Sequence, residues 1–202
     1  MKVHTGKRTR TTLAAVALLA SAALASACGS DSGGEDVDPG SAAEAPSYEA
    51  ALDRAPRDLA AFYENGPELI EGGETAYDDA LASVEGTPVV VNHWGSWCGP
   101  CREEFPHFQN QAAEHLDEVA FLGVDTQDSA DAYATFIRDH PIPYPSVEDL
   151  EGEFGNWIDT ALVGQPNTVY YDARGELVYT HQGPYETEAD LAADIERYAL
   201  SS

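Results

Sequence analysis

Two cysteines three residues apart, in Trp97-Cys98-Gly99-Pro100-Cys101, constrain this chain more than any other feature. They follow an apolar run, Val89-Val90-Val91, and stand at the head of a stretch with helical spacing. Such a pattern predicts a buried strand feeding a helix N-terminus. A thiol placed there meets unpaired backbone N–H groups and the positive end of the helix dipole, and both favour the reactive thiolate. The second thiol is close enough to close an intramolecular disulfide, so the segment points to dithiol–disulfide exchange. Two blander readings are a chance pair of core cysteines and half of a zinc site. Structural zinc wants four ligands, commonly two such pairs. This chain has three cysteines in all and scattered histidines, so no metal and no cofactor is expected.

The N-terminus reads as an export signal. Lys2, Lys7, Arg8 and Arg10 precede an apolar, alanine-rich run of 15 residues, Leu13 to Ala27. That run is short for a membrane span, which needs about 20 residues. Leu24-Ala25-Ser26-Ala27-Cys28 resembles a bacterial lipobox, which would make Cys28 the lipidated first residue of the mature protein. Ala25-Ser26-Ala27 also fits an ordinary signal-peptidase site, and both cuts fall before Cys28. Residues 28–47 are rich in Gly, Ser, Asp, Glu and Pro and read as a tether. As a flexible coil it would span roughly 25 Å. The expected location is the extracytoplasmic face of a bacterial membrane, reached through acyl chains.

Charge excludes some partners and leaves any membrane attachment to acyl chains. The chain carries 36 acidic residues against ten basic ones, a formal charge of −26. Removing residues 1–27 takes four of the basic residues and leaves only six arginines and no lysine. Such a surface repels nucleic acid and anionic headgroups.

Residues 48–202 suffice for one domain with a real core. Leu52, Leu59 and Phe62 suggest a helical face interrupted near Pro56, an N-terminal helical extension. Tyr77, Leu81 and Val84 mark a second short helix, with Thr75 as its expected cap. Val89 to His93 and Val119 to Val124 read as strands. Gly99 to Leu116 and Ser129 to His140 read as helices, the first kinked by Pro106. Thr168 to Tyr171 and Glu176 to Thr180 pair as a hairpin, and Glu188 to Leu200 closes the chain as a helix capped by Thr187. Pro141, Pro143 and Pro145 stiffen a connection. The alternation predicts an α/β fold with a central mixed sheet flanked by helices.

The block from Val89 to Pro106, VVVNHWGSWCGPCREEFP, resembles the thioredoxin superfamily and, within it, the TlpA/ResA-like extracytoplasmic thiol–disulfide oxidoreductases. The resemblance implies a thioredoxin fold with an insertion, roughly Asp128 to Trp157, between the active-site helix and a cis-proline. It implies Cys98 as nucleophile and Cys101 as resolving thiol. In Cys-x-x-Cys-x-x-Glu-Phe-Pro, Glu104 is the position whose carboxylate moves the proton of the resolving thiol, and it shares a helical face with Cys101. Glu103 is expected to be solvated. Asn92 stands where thioredoxins proper carry a buried Asp, and it cannot titrate. Pro166, in Gly164-Gln165-Pro166-Asn167-Thr168, is the expected cis-proline, and Gln165 departs from the smaller residue often found before it. Trp97, Gly99, Pro100 and Gln165 are expected to meet the partner, Trp97 as an apolar rim. Trp94 and His93 are expected in the core or at a strand edge. The implied function is reduction of disulfides in exported proteins, such as apocytochrome c, by a monomer re-reduced by a membrane electron donor. Alternatives are an oxidase of folding secreted proteins and a copper or haem chaperone using both thiols as ligands, which would want a third ligand nearby.

Overall fold

The run Val89–Trp94 is buried at every position, as a strand with neighbours on both sides and layers on both faces must be. In the computed structural model of the chain, which describes residues 46–201, this strand (β2) lies inside a six-stranded sheet. The order of elements is α1 (Glu49–Leu52), α2 (Arg57–Phe62), β1 (Leu69–Ile70), α3 (Gly73–Ser83), β2, α4 (Gly99–His115), β3 (Ala120–Thr126), α5 (Ala130–Asp139), β4 (Ser146–Asp149), α6 (Phe154–Trp157), β5 (Asn167–Tyr171), β6 (Leu177–Gln182) and α7 (Glu188–Asp194). Strands run β1-β4-β3-β2-β5-β6 across the sheet. The pairs β1–β4, β4–β3 and β3–β2 are parallel, and β2–β5 and β5–β6 are antiparallel.

Alternation along β2 sends its side chains into two layers. Trp94 packs on Phe105 of α4 and on Phe136 of α5, with ring centroids 5.0 and 4.9 Å apart. His93 points to the other layer, 4.9 Å from Phe154, which in turn meets Tyr77 of α3. Gly123 in β3 permits a close approach. A Cβ there would run into the Ser146 side chain and come within 3.1 Å of Trp94 Nε1.

Helix ends follow the expected chemistry in two cases. Ser129 accepts from Ala132 N at the start of α5, and Thr187 accepts from Asp190 N at the start of α7. Thr75 does not cap α3. Gly72 and Gly73, with φ of 124° and 59°, turn the chain earlier, so the helix starts at Gly73 and Thr75 lies inside it. Helix α4 continues through Pro106, and the closing helix passes from α7 into a π-helical stretch, Ile195–Leu200. The strand expected over 119–124 extends to Thr126 and carries Asp125 into the interior. Between α4 and Pro166 the chain forms β3, α5, β4 and α6.

The N-terminal extension is part of the core. The Tyr63 hydroxyl donates to the Val119 carbonyl at 2.8 Å and accepts from Phe121 N at 2.7 Å. Arg54 pairs with Asp117 at 2.7 Å, and β1 adds the edge strand beside β4. The signal, Cys28 and nearly all of the tether lie outside the described residues. No helix among the described residues is long and apolar enough to cross a membrane.

Candidate active site

Cys98 is the N-cap of α4, in an extended conformation, and Gly99 and Pro100 form the first turn. Pro suits this position because the first helical N–H groups have no intrahelical partner. Cys98 Sγ is joined to Cys101 Sγ and accepts the Cys101 N–H at 3.2 Å. The sulfur at the helix start thus faces the donors that would stabilise a thiolate. Cys101 is fully buried and Cys98 is only 5% exposed. The site is more closed than the position of Cys98 alone suggests. Its accessible surface belongs to Trp97, which is 53% exposed, and to Gly99 and Pro100.

The turn that delivers Cys98 is held from the end of β3. Cys98 N donates to Gly95 O. Ser96 donates through its backbone N and its hydroxyl to the two Asp128 oxygens, at 2.6 and 2.8 Å. Trp97 Nε1 donates to Thr126 O at 3.1 Å. These contacts fix the indole as a rim over the end of the sheet rather than as a core side chain. Trp94, by contrast, is entirely buried.

Glu104 is buried one turn beyond Cys101, at 1% exposure. Its Oε2 accepts the Tyr185 N–H at 2.9 Å, whereas Oε1 has no partner among the described residues. Burial penalises the carboxylate and pushes the pKa up from 4.5 to about 8, against a smaller opposing effect of the Tyr185 hydrogen bond. A carboxyl that titrates there can take and return a thiol proton near neutral pH. Glu103 is exposed, as expected.

The Gln165–Pro166 peptide bond is cis. Register places it: His93 lies opposite Asn167, so Pro166 stands at the end of β2 from which the Cys98 turn departs. Pro166 is buried and its carbonyl accepts from Gly183 N, while Gln165 is half-buried. Cys98, Cys101, Glu104, Pro166, Trp97, Gly99, Pro100 and Gln165 therefore stand on α4, the turn before it and the strand entry beside that turn. Asn92 is buried, with neither side-chain polar atom partnered among the described residues.

Three participants escaped sequence reasoning. Asp125, opposite Trp94 in the register, is 1% exposed, and its pKa is raised to about 9 by burial and then by the neighbouring Asp128 carboxylate. Asp128 clamps Ser96. Tyr185 supplies the N–H to Glu104, and its hydroxyl is fixed by Asp194 and Tyr170, each at 2.7 Å. In a chain this acidic the two aspartates look like surface charge; only the mixed spacing of Val124-Asp125-Thr126 at a strand end hints otherwise. Among the described residues no group of three or more His, Cys, Asp or Glu is arranged to hold a metal.

Comparison with known proteins agrees with this geometry. The chain is 32% identical over 100 residues to a thiol:disulfide interchange protein DsbE homologue of Paracoccus denitrificans, covering 49% of this chain and 52% of that protein. It is 28% identical over 99 residues to the thiol-disulfide oxidoreductase ResA of Bacillus subtilis, covering 48% and 54%. The chain spans about half the length of the curated relatives it matches. A crystal structure of a DsbF homologue from Corynebacterium diphtheriae superposes with a TM-score of 0.53 at 25% identity, over 58% of this chain and 75% of that one. The model of the AhpC/TSA family matches residues 69–180, from the first edge strand through the disulfide and the cis-proline into the last hairpin, and the chain belongs to that thioredoxin-like family.

Proposed function

We propose that the protein is an extracytoplasmic thiol–disulfide oxidoreductase that reduces disulfides in exported proteins. The observation that carries this reading is the buried Glu104, with a pKa near 8, on the turn after a disulfide that begins a helix. In the reduced enzyme the Cys98 thiolate attacks a partner disulfide. One partner sulfur leaves as thiolate and a mixed disulfide forms. Cys101 then gives its proton to the Glu104 carboxylate and attacks Cys98 Sγ, which releases the second partner thiolate. Two electrons pass to the partner, and the enzyme ends as the Cys98–Cys101 disulfide with Glu104 protonated. When a membrane electron donor reopens that disulfide, the same proton returns to Cys101. The cis-proline leaves no N–H beside the sulfurs, so an extended partner can approach them there.

The Cys-x-x-Cys pair of apocytochrome c, oxidised after export, is a substrate of the right form. Two observations support a reductive direction: no cation or histidine sits between the two thiols, and the surrounding charge is acidic, which disfavours a strongly stabilised thiolate. In this reading Cys28 carries the lipid that holds the domain at the membrane. The test is a Cys101→Ser trap in cells expressing the full chain. Dithiothreitol-sensitive adducts with exported proteins should accumulate, follow the detergent phase on partitioning, and move to the aqueous phase when Cys28→Ala is added. Trapping by Cys98→Ser instead would reverse the two thiol roles, and trapping by neither would remove the exchange reading.

A further inference from the structure

The turn between β2 and α4 contains a glycine that its backbone conformation does not demand. Gly95 is not among the glycines with positive φ. Space demands it instead. A Cβ there would stand 2.8 Å from Trp97 Nε1 and 3.1 Å from Thr126 O. The indole thus lies against the Gly95 backbone and gives its N–H to Thr126 O at 3.1 Å. Trp97 is nevertheless 53% exposed. A half-wetted ring has a seat built for it, one that leaves much of its surface to solvent.

Asp128 locks that seat. Strand β3 ends at Thr126, and Gln127 follows with a φ of 55°, a left-handed conformation uncommon outside glycine. The Gln127 N–H is tied to Asp149 O at 2.8 Å. Ser129, on the other side of Asp128, caps α5. Asp128 is therefore fixed from both directions along the chain. It is 9% exposed, and both of its oxygens are used. One accepts the Ser96 N–H at 2.6 Å and the other the Ser96 hydroxyl at 2.8 Å. A buried carboxylate is costly unless such bonds compensate it. Here both bonds end on Ser96, the residue between Gly95 and Trp97.

We propose that Asp128 is a positioning residue for partner docking: through Ser96 it keeps the Trp97 indole in the attitude that a disulfide-bearing polypeptide meets, so the ring need not be ordered on binding. This rests on the thiol-exchange reading above. Trp97 adjoins Cys98 in the chain. A polypeptide whose disulfide reaches Cys98 brings the residues beside its cystine onto the indole, whereas a small disulfide has none to bring. Preorganisation of this kind favours polypeptides over small disulfides without adding a contact.

The test mixes the reduced full-length protein, in single turnover, with an oxidised Cys-x-x-Cys peptide or with bis(2-hydroxyethyl) disulfide. The ratio of the two second-order rate constants is the readout. Asp128→Ala should lower the ratio of peptide to small disulfide about 2- to 10-fold, the effect of having to order one large side chain on binding. Asp128→Asn keeps an oxygen for the Ser96 N–H and offers an NH2 to the Ser96 hydroxyl oxygen, so it should restore most of the ratio. In a Trp97→Ala background, Asp128→Ala should lower the ratio no further, because Asp128 acts through the indole. Gly95→Ala displaces the indole with Asp128 intact and should lower the ratio in the same way, which decides the matter even if Asp128→Ala does not fold. An unchanged ratio in either alanine variant, no rescue by Asn, or an equal fall in the Trp97→Ala background would each overturn the proposal. Failure of the exchange reading shows separately, as an inability of the reduced parent to consume bis(2-hydroxyethyl) disulfide.

Discussion

Replacing Glu104 by Gln should reverse the order of stability of two otherwise matched proteins between acid and alkaline pH. Folding raises the Glu104 pKa from 4.5 to about 8, so the folded state holds a proton that the unfolded chain has released. The sign follows from that difference. The associated stability is fully present below pH 4.5 and is lost as pH rises through 8. Each pH unit in that window weakens folding by about 1.4 kcal/mol, which sums to about 5 kcal/mol across it. Gln keeps the acceptor for the Tyr185 N–H but places an NH2 group where Oε1 now has no partner. That costs about 1–3 kcal/mol at every pH. The oxidised parent should therefore be the more stable protein at pH 5 by roughly that amount. At pH 9 the Gln variant should lead by about 2–4 kcal/mol, the difference of the two effects. Urea unfolding followed by tryptophan fluorescence at both pH values measures the crossing. Parallel stability curves would refute the reasoning, because they mean that Glu104 ionises in the fold as it does in water. The same variant should resolve mixed disulfides more slowly near neutral pH, with Cys101 deprived of its proton acceptor.

Asp125→Asn tests the second buried acid. Its pKa is also raised on folding, from 3.8 to about 9, so the parent loses stability as pH climbs through that window. The variant should show a smaller drop in unfolding midpoint between pH 5 and 9, and an unchanged drop would mean that Asp125 is not held protonated. Gly123→Ala drives a methyl group into the Ser146 side chain and toward Trp94 Nε1. Destabilisation of about 1–3 kcal/mol or more is expected by thermal unfolding. Ser146→Gly, added to it, should recover part of the loss; no recovery would place the strain elsewhere.

Much of the site was legible because its chemistry is written locally. The spacing of Cys98, Cys101 and Glu104 places all three within two turns of one helix, and the apolar run before them could only be a central strand. Pro166 was legible only through the thioredoxin resemblance, which makes the proline before the Thr168 strand the cis one. What stayed hidden depends on long-range closure. Asp125 and Asp128 read as two more charges among 36 acidic residues, and only the strand β3 and the Ser96 turn turn them inward. The sheet edge β1 is two residues long, too short for any periodicity to declare it. Thr75 looked like a cap because sequence cannot show that Gly72 and Gly73 have already turned the chain. The passage of the last helix into π geometry left no composition signal at all.

The hydrogen bond from Tyr185 to Glu104 joins residues 81 positions apart. The two thiols can meet as soon as the first turn of α4 forms. Tyr185 can donate to Glu104 only once the end of the chain has docked, and the carboxyl takes its raised pKa only when the fold buries it. A nascent or partly folded chain therefore carries a dithiol with an ordinary glutamate beside it, solvated and ionised. Folding itself thus sets the moment at which the carboxyl beside the two sulfurs becomes a group that titrates near neutral pH.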